Sequence, residues 1–468
     1  MKSSCLSLAA LILCLLPAAV SSSAAQVIPF GTSGGNYLSD VALLPGGGFA
    51  VVWSWSAASG PDADADVRMQ WVRPDGSSVF PVAGLTVAGS PKAVEAQAVL
   101  APHPVSGVFV AYVRGIEDRK FEVVVQRYDG DGHRLWTGDG VVAAREPGRR
   151  LQTSPTLVPD GDGGVYVCLS SRSTDGSTTR NADILCQHLD EDGQRLWSVK
   201  GLKSGGLAGV RMTPQAVPDG EGGLVVVWHN YRYSPGHALP VLVEGQHFAA
   251  EGTPLWGRRG KLIHRTRISS GSGSVTVRLR VVPDGEGGAV VAFSDGADGL
   301  DVVAQRMSRD GRKLWGSGTA VASGPDMDGF ASLAAGPGGG AFVLYQDFGK
   351  RQVGLSIQRL DGAGRRLWEV TESAPEQADT SGVGDFDGKV LRVVWARYPL
   401  GGSLAEVRLL ALDLNGNPLN GAAGELVADD QPLSFPRELV YDPVEKQGLV
   451  VWTDGSSQSA GALIDGQP

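Results

Sequence analysis

The sequence predicts an all-β chain, an eight-bladed β-propeller of four-stranded antiparallel blades with the ring closed by its N-terminal strand. Three observations lead there. One phrase recurs five times, as Tyr128-Asp-Gly-Asp-Gly-His-Arg-Leu-Trp136, Leu189-Asp-Glu-Asp-Gly-Gln-Arg-Leu-Trp197, Phe248-Ala-Ala-Glu-Gly-Thr-Pro-Leu-Trp256, Met307-Ser-Arg-Asp-Gly-Arg-Lys-Leu-Trp315 and Leu360-Asp-Gly-Ala-Gly-Arg-Arg-Leu-Trp368. Regular internal repetition of this kind marks solenoids and propellers. Each Trp also stands ten residues after a Gln (Gln126, Gln187, Gln246, Gln305, Gln358), so two strands and their turn hold one register in five units. Short β-branched apolar runs alternate with Gly- and Asp-rich turns throughout, without helical periodicity.

Residues 1–25 read as a signal peptide: Lys2 supplies a positive start, Leu6 to Ala19 is apolar, and Ser23-Ala24-Ala25 offers the small residues of a cleavage site. The chain is therefore expected to be exported, to the periplasm, the cell surface or the medium. Residues 26–468 read as one domain, because the repeat runs through them with no low-complexity linker. A unit opens with a short strand and a turn such as Val217-Pro-Asp-Gly-Glu-Gly-Gly223, where Asp-Gly and Gly-Gly supply the positive φ of a tight hairpin. A strongly apolar second strand follows, such as Leu224-Val-Val-Val-Trp228, expected to line the interior of the ring. A third strand carries the Gln, and a fourth, outer strand opens with Leu-Trp, which completes a blade.

Second strands end at Trp53, Tyr112, Leu169, Trp228, Phe293, Tyr345, Trp395 and Trp452, which gives eight units. The last one runs out after its third strand. Its missing outer strand is assigned to Gln26-Val-Ile-Pro-Phe-Gly31, a closure that would also remove an exposed sheet edge.

The Asp-x-x-Gly-x-x-Leu-Trp phrase resembles the tryptophan-docking motif of quinoprotein-type eight-bladed propellers, a superfamily that includes outer-membrane assembly propellers. The resemblance implies that Trp136, Trp197, Trp256, Trp315 and Trp368 pack between neighbouring blades. Three units depart from it: Phe80 stands near the Trp position in the first, Asn420 follows Leu419 in the seventh, and the eighth has no outer strand of its own. The resemblance also raises a quinone enzyme, whose relatives use a Ca²⁺-bound quinone, a catalytic Asp and often adjacent cysteines. No two cysteines are adjacent here, and the catalytic positions cannot be matched. No catalytic residue and no cofactor are assigned.

Net charge is −9 and no long Lys/Arg cluster occurs, which argues against nucleic acid as a partner. After the leader no apolar run is long enough to span a bilayer. Cys168 and Cys186 fall on neighbouring strands of one hairpin, where either a disulfide or two buried thiols would fit. Asp62-Ala-Asp-Ala-Asp66 and Gly384-Asp385-Phe386-Asp387 alternate carboxylates as hard cations like, but neither completes a Ca²⁺ loop, and no metal site is assigned. Asp160, Asp219 and Asp284 read as turn residues. His188 and His247, which follow the Gln, read as surface residues of the third strand, and the Gln amides as partners of a neighbouring blade's backbone.

Length varies most between second and third strands, and such connections on a rigid frame are where binding concentrates. The candidate ligand-binding set is Trp55, Arg114, Arg172, His229, Tyr231, Arg232, Tyr233, Arg397 and Tyr398, rich in the residue types that anchor interfaces and stack on sugars. The expected function is a non-catalytic protein-binding or scaffolding module, monomeric, with a protein partner. Carbohydrate binding, with a polysaccharide ligand, is the alternative.

Overall fold

The computed structural model describes residues 27–31, 35–56, 65–90, 93–116, 120–145, 149–173, 182–206, 209–232, 239–269, 278–296, 301–323, 327–348, 353–380, 382–432, 434–454 and 459–465. The proposed leader, residues 1–25, lies outside them. Among the described residues the fold is all-β, with one 3-10 turn at Pro337–Gly339, and no helix is long and apolar enough to cross a membrane.

The strands assemble into antiparallel sheets in chain order. Gly35–Leu43, Phe49–Ser56, Ala65–Val72 and Leu85–Ala88 form one, Leu279–Pro283, Ala289–Asp295, Asp301–Met307 and Thr319–Ala322 another, and Met327–Ala335, Ala341–Phe348, Gly354–Leu360 and Arg366–Glu372 a third. Three further units join as a twelve-stranded sheet through the single parallel pairs Leu151↔Phe121 and Ala182↔Val210. The strand Val27–Phe30 pairs with Ser459–Asp465, extending the sheet of Ser434–Asp442 and Gln447–Asp454.

Second strands are the buried spine. Leu224–Tyr231 is buried at every position from Leu224 to Asn230, and Trp53, Trp228 and Trp395 within three such strands, which run three or four residues further than expected, are inaccessible to solvent. A continuous apolar run suits them because both faces meet a neighbouring sheet. They do not, however, line the innermost cavity. First strands do: Gly35–Leu43, Glu95–Pro102, Arg149–Pro159, Val210–Pro218, Leu279–Pro283, Met327–Ala335, Val383–Phe386 and Ser434–Asp442 each touch the next, and the last touches the first. Most carry a register shift, and three place a non-glycine residue at positive φ there: Gln97 (54°), Ser154 (52°) and Thr213 (51°). Each of these three shifts comes immediately before the residue that lines the cavity, Val99, Thr156 or Gln215.

Successive units are joined by their tryptophans. The indole N–H of Trp136 donates to the Glu191 carbonyl (2.9 Å), Trp197 to Ala250 (3.0 Å), Trp256 to Arg309 (2.9 Å), Trp315 to Gly362 (3.0 Å) and Trp368 to Leu414 (2.9 Å), each acceptor lying in the turn between third and fourth strands of the next unit. Under each ring sits a glycine of that turn. A Cβ on Gly193, Gly252, Gly311, Gly364 or Gly416 would stand 2.6–3.0 Å from the nearest indole atom. The phrase therefore needs its Gly for two reasons, the positive φ of the turn and the close approach of the preceding unit's Trp.

The Gln ladder works mainly within its own unit, not toward a neighbour's backbone as expected. Gln126 Oε1 accepts from Trp136 N (3.1 Å) and Arg127 N (2.9 Å), while its Nε2 donates to the Trp136 carbonyl (3.2 Å). Gln187, Gln246 and Gln305 receive Trp197 N, Trp256 N and Trp315 N in the same way. Of the five docking tryptophans only Trp368 lies within a fourth strand, Arg366–Glu372; the others precede theirs, so Leu-Trp does not open that strand as expected, and the Gln amide supplies partners to Trp backbone groups that strand pairing leaves open.

Departing units rebuild these contacts with other residues. In the first, Phe80 covers Gly132, and the indole N–H comes from Trp71 on the third strand, which donates to the Gly130 carbonyl at 2.9 Å. In the seventh, Leu410 occupies the Gln place and Asn420 the Trp place. Asn420 Oδ1 accepts from Ala411 N and its Nδ2 donates to the Leu409 carbonyl, both at 2.9 Å, so the amide has moved to the opposite strand of the same pair.

Gly311 (φ 78°) and Gly285 (φ 75°) separate the two demands on a turn glycine, because a Cβ at Gly311 meets Trp256 and Lys261 at 2.8–2.9 Å whereas one at Gly285 meets nothing within 4 Å. Urea denaturation should show Gly285→Ala losing about 1 kcal/mol, from backbone strain alone. Gly311→Ala should lose roughly 2–4 kcal/mol, because overpacking adds to it. Equal losses would mean that the Trp does not bear on the turn.

Candidate functional site

Two regions bring potential binding groups together. The first comprises the C-terminal ends of the second strands, beside the connections of varying length. Trp55 lies there half-buried, with the Arg68 guanidinium 4.3 Å from its ring centroid. Arg114 pairs with Glu122 at 2.7 Å and Asp139 at 3.2 Å, and Arg172 and Tyr231 are half-buried at the ends of their strands. Arg232 and Tyr398 are half-buried as well. Tyr233 lies outside the described residues.

His229 and Arg397, expected on this surface, belong to the interior. His229 is 1% exposed, contacts Thr213 Oγ1 through Nδ1 at 3.2 Å, and burial lowers its pKa to about 4, so it is neutral at physiological pH. Arg397 forks onto Asp379 (2.7 and 2.9 Å), whose Oδ1 also accepts the Trp395 indole N–H at 3.1 Å. A guanidinium held bidentately by a buried carboxylate is bound to the fold and is not offered to a partner. Alternation decides this outcome, since residues next to one another on a strand face opposite sides and half of any strand-end cluster points inward.

The second region is a cavity of about 400 Å³ enclosed by the first strands. One register position from each supplies a lining residue: Asp40, Val99, Thr156, Gln215, Arg280, Ser332, Val383 and Glu438, paired with or adjacent to equivalent residues of the second strands. Asp40 is anchored by accepting Leu100 N (2.7 Å) and Val41 N (3.0 Å). Burial raises its pKa to about 6 against those hydrogen bonds and the charge of Arg280. Glu438 is surrounded by protein yet open to the water of the cavity. Burial, reinforced by the charge of Asp40 and eased by Arg280, raises its pKa to about 8. Asp385, also raised by burial, accepts Tyr441 N at 2.9 Å. Sequence reading missed this site because its members come one per unit.

The remaining acidic groups mostly serve turns. Asp160, Asp219 and Asp284 each accept two backbone N–H groups of their own turn at 2.8–2.9 Å. Their second oxygens receive His188 Nε2 (2.8 Å), His247 Nε2 (2.8 Å) and Arg306 Nε (2.9 Å). His188 and His247 are thus buried rather than superficial, because the side chain after the Gln points to this carboxylate and not to solvent. Asp387 is held by Arg392 at 2.6 Å, and Asp62 and Asp64 of the other alternating segment lie outside the described residues. Asp129, Asp131 and His133 approach one another closely enough to hold a cation, but Asp129 Oδ1 already accepts the N–H groups of both Asp131 and His133. Cys168 and Cys186 face each other across Val165–Ser173 and Ala182–Leu189 and are joined by a disulfide, buried against Trp197, Trp228 and Phe248.

For Glu438 the pH dependence has a definite sign. A carboxyl whose pKa is higher in the folded chain than in the unfolded one keeps its proton longer when folded, so its ionisation destabilises. The cost is absent below 4.5 and complete above about 8. Glu438→Gln should therefore raise Tm near pH 8 relative to the parent chain and leave it unchanged near pH 4. A parallel offset at both pH values would show that the carboxyl is not perturbed.

No family model and no curated relative matches the chain. Solved structures do. It is similar to Sqt1 from Chaetomium thermophilum, at 11% identity over 94% of this chain and 99% of that one, with a TM-score of 0.51. Polysaccharide lyase Uly1 aligns at 10% identity over 94% and 93% of the two chains, TM-score 0.48. A prolyl endopeptidase aligns at 12% identity over 90% of this chain with a TM-score of 0.45, and this chain spans about half, 55%, of its length. At such identities the likeness to Sqt1 speaks to fold alone: the chain is propeller-like.

Proposed function

We propose that the chain is an exported, eight-bladed β-propeller, closed by its N-terminal strand, that acts as a protein-binding or scaffolding module in the cell envelope or outside the cell. The cyclic order of first-strand contacts and the pairing of Val27–Phe30 with Ser459–Asp465 support the ring. Residues 1–25 support export.

One observation carries the binding reading. Arg172, Tyr231 and Tyr398 stand at the C-terminal ends of second strands in units whose turn between third and fourth strands receives a docked Trp, and Trp55 and Arg114 stand at the corresponding places in the first two units, so amphipathic side chains are presented on a frame braced between units. Preorganisation of this kind lowers the entropic cost of binding, and Trp, Tyr and Arg are the residues that most often dominate interface energetics. Carbohydrate is the second reading. The half-buried rings of Trp55, Tyr231 and Tyr398 favour it, because a sugar stacks on an aromatic face with a polar rim.

A pull-down from envelope and medium of the source organism should separate the two. The full chain is compared with a variant carrying Trp55→Ala, Arg172→Ala and Tyr398→Ala. Capture of a defined protein that the triple variant loses by at least about tenfold is expected, the loss of about 1.4 kcal/mol that one good anchor provides. Equal capture by both forms would show that the strand-end surface does not bind the partner, and retention of polysaccharide released by free sugar would replace the protein partner with a glycan.

A further inference from the structure

We propose that the cavity enclosed by the first strands is a binding site for a small zwitterion, whose ammonium group seats between Asp40 and Glu438 and whose carboxylate faces Arg280. This inference is independent of the strand-end surface and does not require a protein partner.

Three features of the cavity point to that chemistry. Both signs line it at different places. Glu438 and Asp40 come from adjacent first strands, Ser434–Asp442 and Gly35–Leu43, which are in contact with each other. Arg280 comes from Leu279–Pro283, whose first-strand neighbours are Val210–Pro218 and Met327–Ala335. Two neighbouring carboxylates with a guanidinium on a strand elsewhere in the ring of contacts match a ligand that carries both signs, whereas a simple cation would leave Arg280 unanswered. Second, the charges are not neutralised by pairing. No ion pair joins Arg280 to Asp40, Asp385 or Glu438 among the described residues, although its charge lowers the pKa of both Asp40 and Glu438. Asp40 is fixed by two backbone N–H groups that leave part of its carboxylate facing the cavity, and Glu438 has no hydrogen-bond partner among the described residues. The charge of Asp40 acts against ionisation of Glu438, and a group of opposite sign inserted between them relieves that repulsion. Third, the volume of about 400 Å³ falls at the lower end of the range for small-molecule sites, and Thr156, Gln215 and Ser332 supply neutral hydrogen-bonding groups around its rim.

Arg437 also lines the cavity, and Arg278 stands near it and Arg280. Both add positive charge, so ligands with net negative charge are not repelled as strongly as Asp40 and Glu438 alone would repel them. What the arrangement discriminates is the presence of an ammonium group and a carboxylate in one small molecule, the chemistry of free amino acids and short peptides.

The test is isothermal titration of the full chain with glycine, glycylglycine and triglycine, which sample increasing separation between ammonium and carboxylate. At least one should bind at a single site with a Kd at or below about 1 mM. Its N-acetylated and its C-amidated forms should each lose at least about tenfold. These blocked probes use the unaltered chain, so the outcome does not depend on whether a variant folds. Glu438→Gln and Arg280→Gln should each reproduce the loss. Because an ammonium group favours the ionised form of Glu438, binding near pH 7 should release protons, read as an enthalpy that varies with the ionisation enthalpy of the buffer. No saturable binding of any of the three probes at about 10 mM overturns the proposal, as does equal affinity for the blocked forms.

Discussion

At five junctions between units the fold depends on one contact, an indole ring packed on the turn of the next unit with its N–H held by a backbone carbonyl there. Blades of four strands bury their second strands well but leave a face that must be covered by a neighbour. The docked Trp supplies that cover and sets the angle at once. Its ring lies on a glycine that cannot carry a Cβ, and its N–H reaches a carbonyl that no strand partner uses. Each bond contributes on the order of 1 kcal/mol net, while removal of such a buried ring costs about 3–5 kcal/mol. The geometry therefore rests chiefly on packing, with the hydrogen bond selecting the orientation.

Buried polar groups follow from the same constraint. Pressing turns against rings takes backbone groups out of water, and each is then supplied with a partner. The Gln on the third strand answers the backbone of the docking Trp, and the Asp of the first turn answers its own N–H groups and a His or Arg from the third strand. Asn420 in the seventh unit shows that the requirement lies in the pair and not in the residue: from the opposite side its amide still accepts the N–H that follows the Gln place, Ala411 N, and donates to the Leu409 carbonyl of the third strand.

Much of this was legible in the sequence, and the reason is spacing. Strands, turns and the docking tryptophans recur at fixed intervals, and the turn Gly, the Gln and the Trp have few substitutes once a close approach is required. Compensated positions were not legible. Trp71 and Phe80 divide between them the work of one Trp: Phe80 stands at the motif position, ten residues after Gln70, but the indole N–H comes from Trp71, which does not. The inner bulges at Gln97, Ser154 and Thr213 were hidden because a positive φ without glycine leaves no compositional mark. The cavity was invisible for a different reason: Asp40, Arg280 and Glu438 are separated by hundreds of residues and meet only when the first strands converge. Among the strand-end residues, sequence located the surface but not the orientation, and so counted the buried His229 and Arg397 with the half-buried Trp55 and Tyr398.

The proposed scaffolding role asks for a rigid frame with variable edges, and the proposed zwitterion site uses the polar cavity of the same frame. Both depend on units that do not slip against one another. Hydrogen exchange of the tryptophan indole N–H groups, followed by NMR, tests that dependence most directly. If the docked rings hold the units together, the N–H groups of Trp136, Trp197, Trp256, Trp315 and Trp368 exchange only through global unfolding, with a common free energy close to that of the whole chain. Exchange of these five at the rate of a solvent-exposed indole would contradict it.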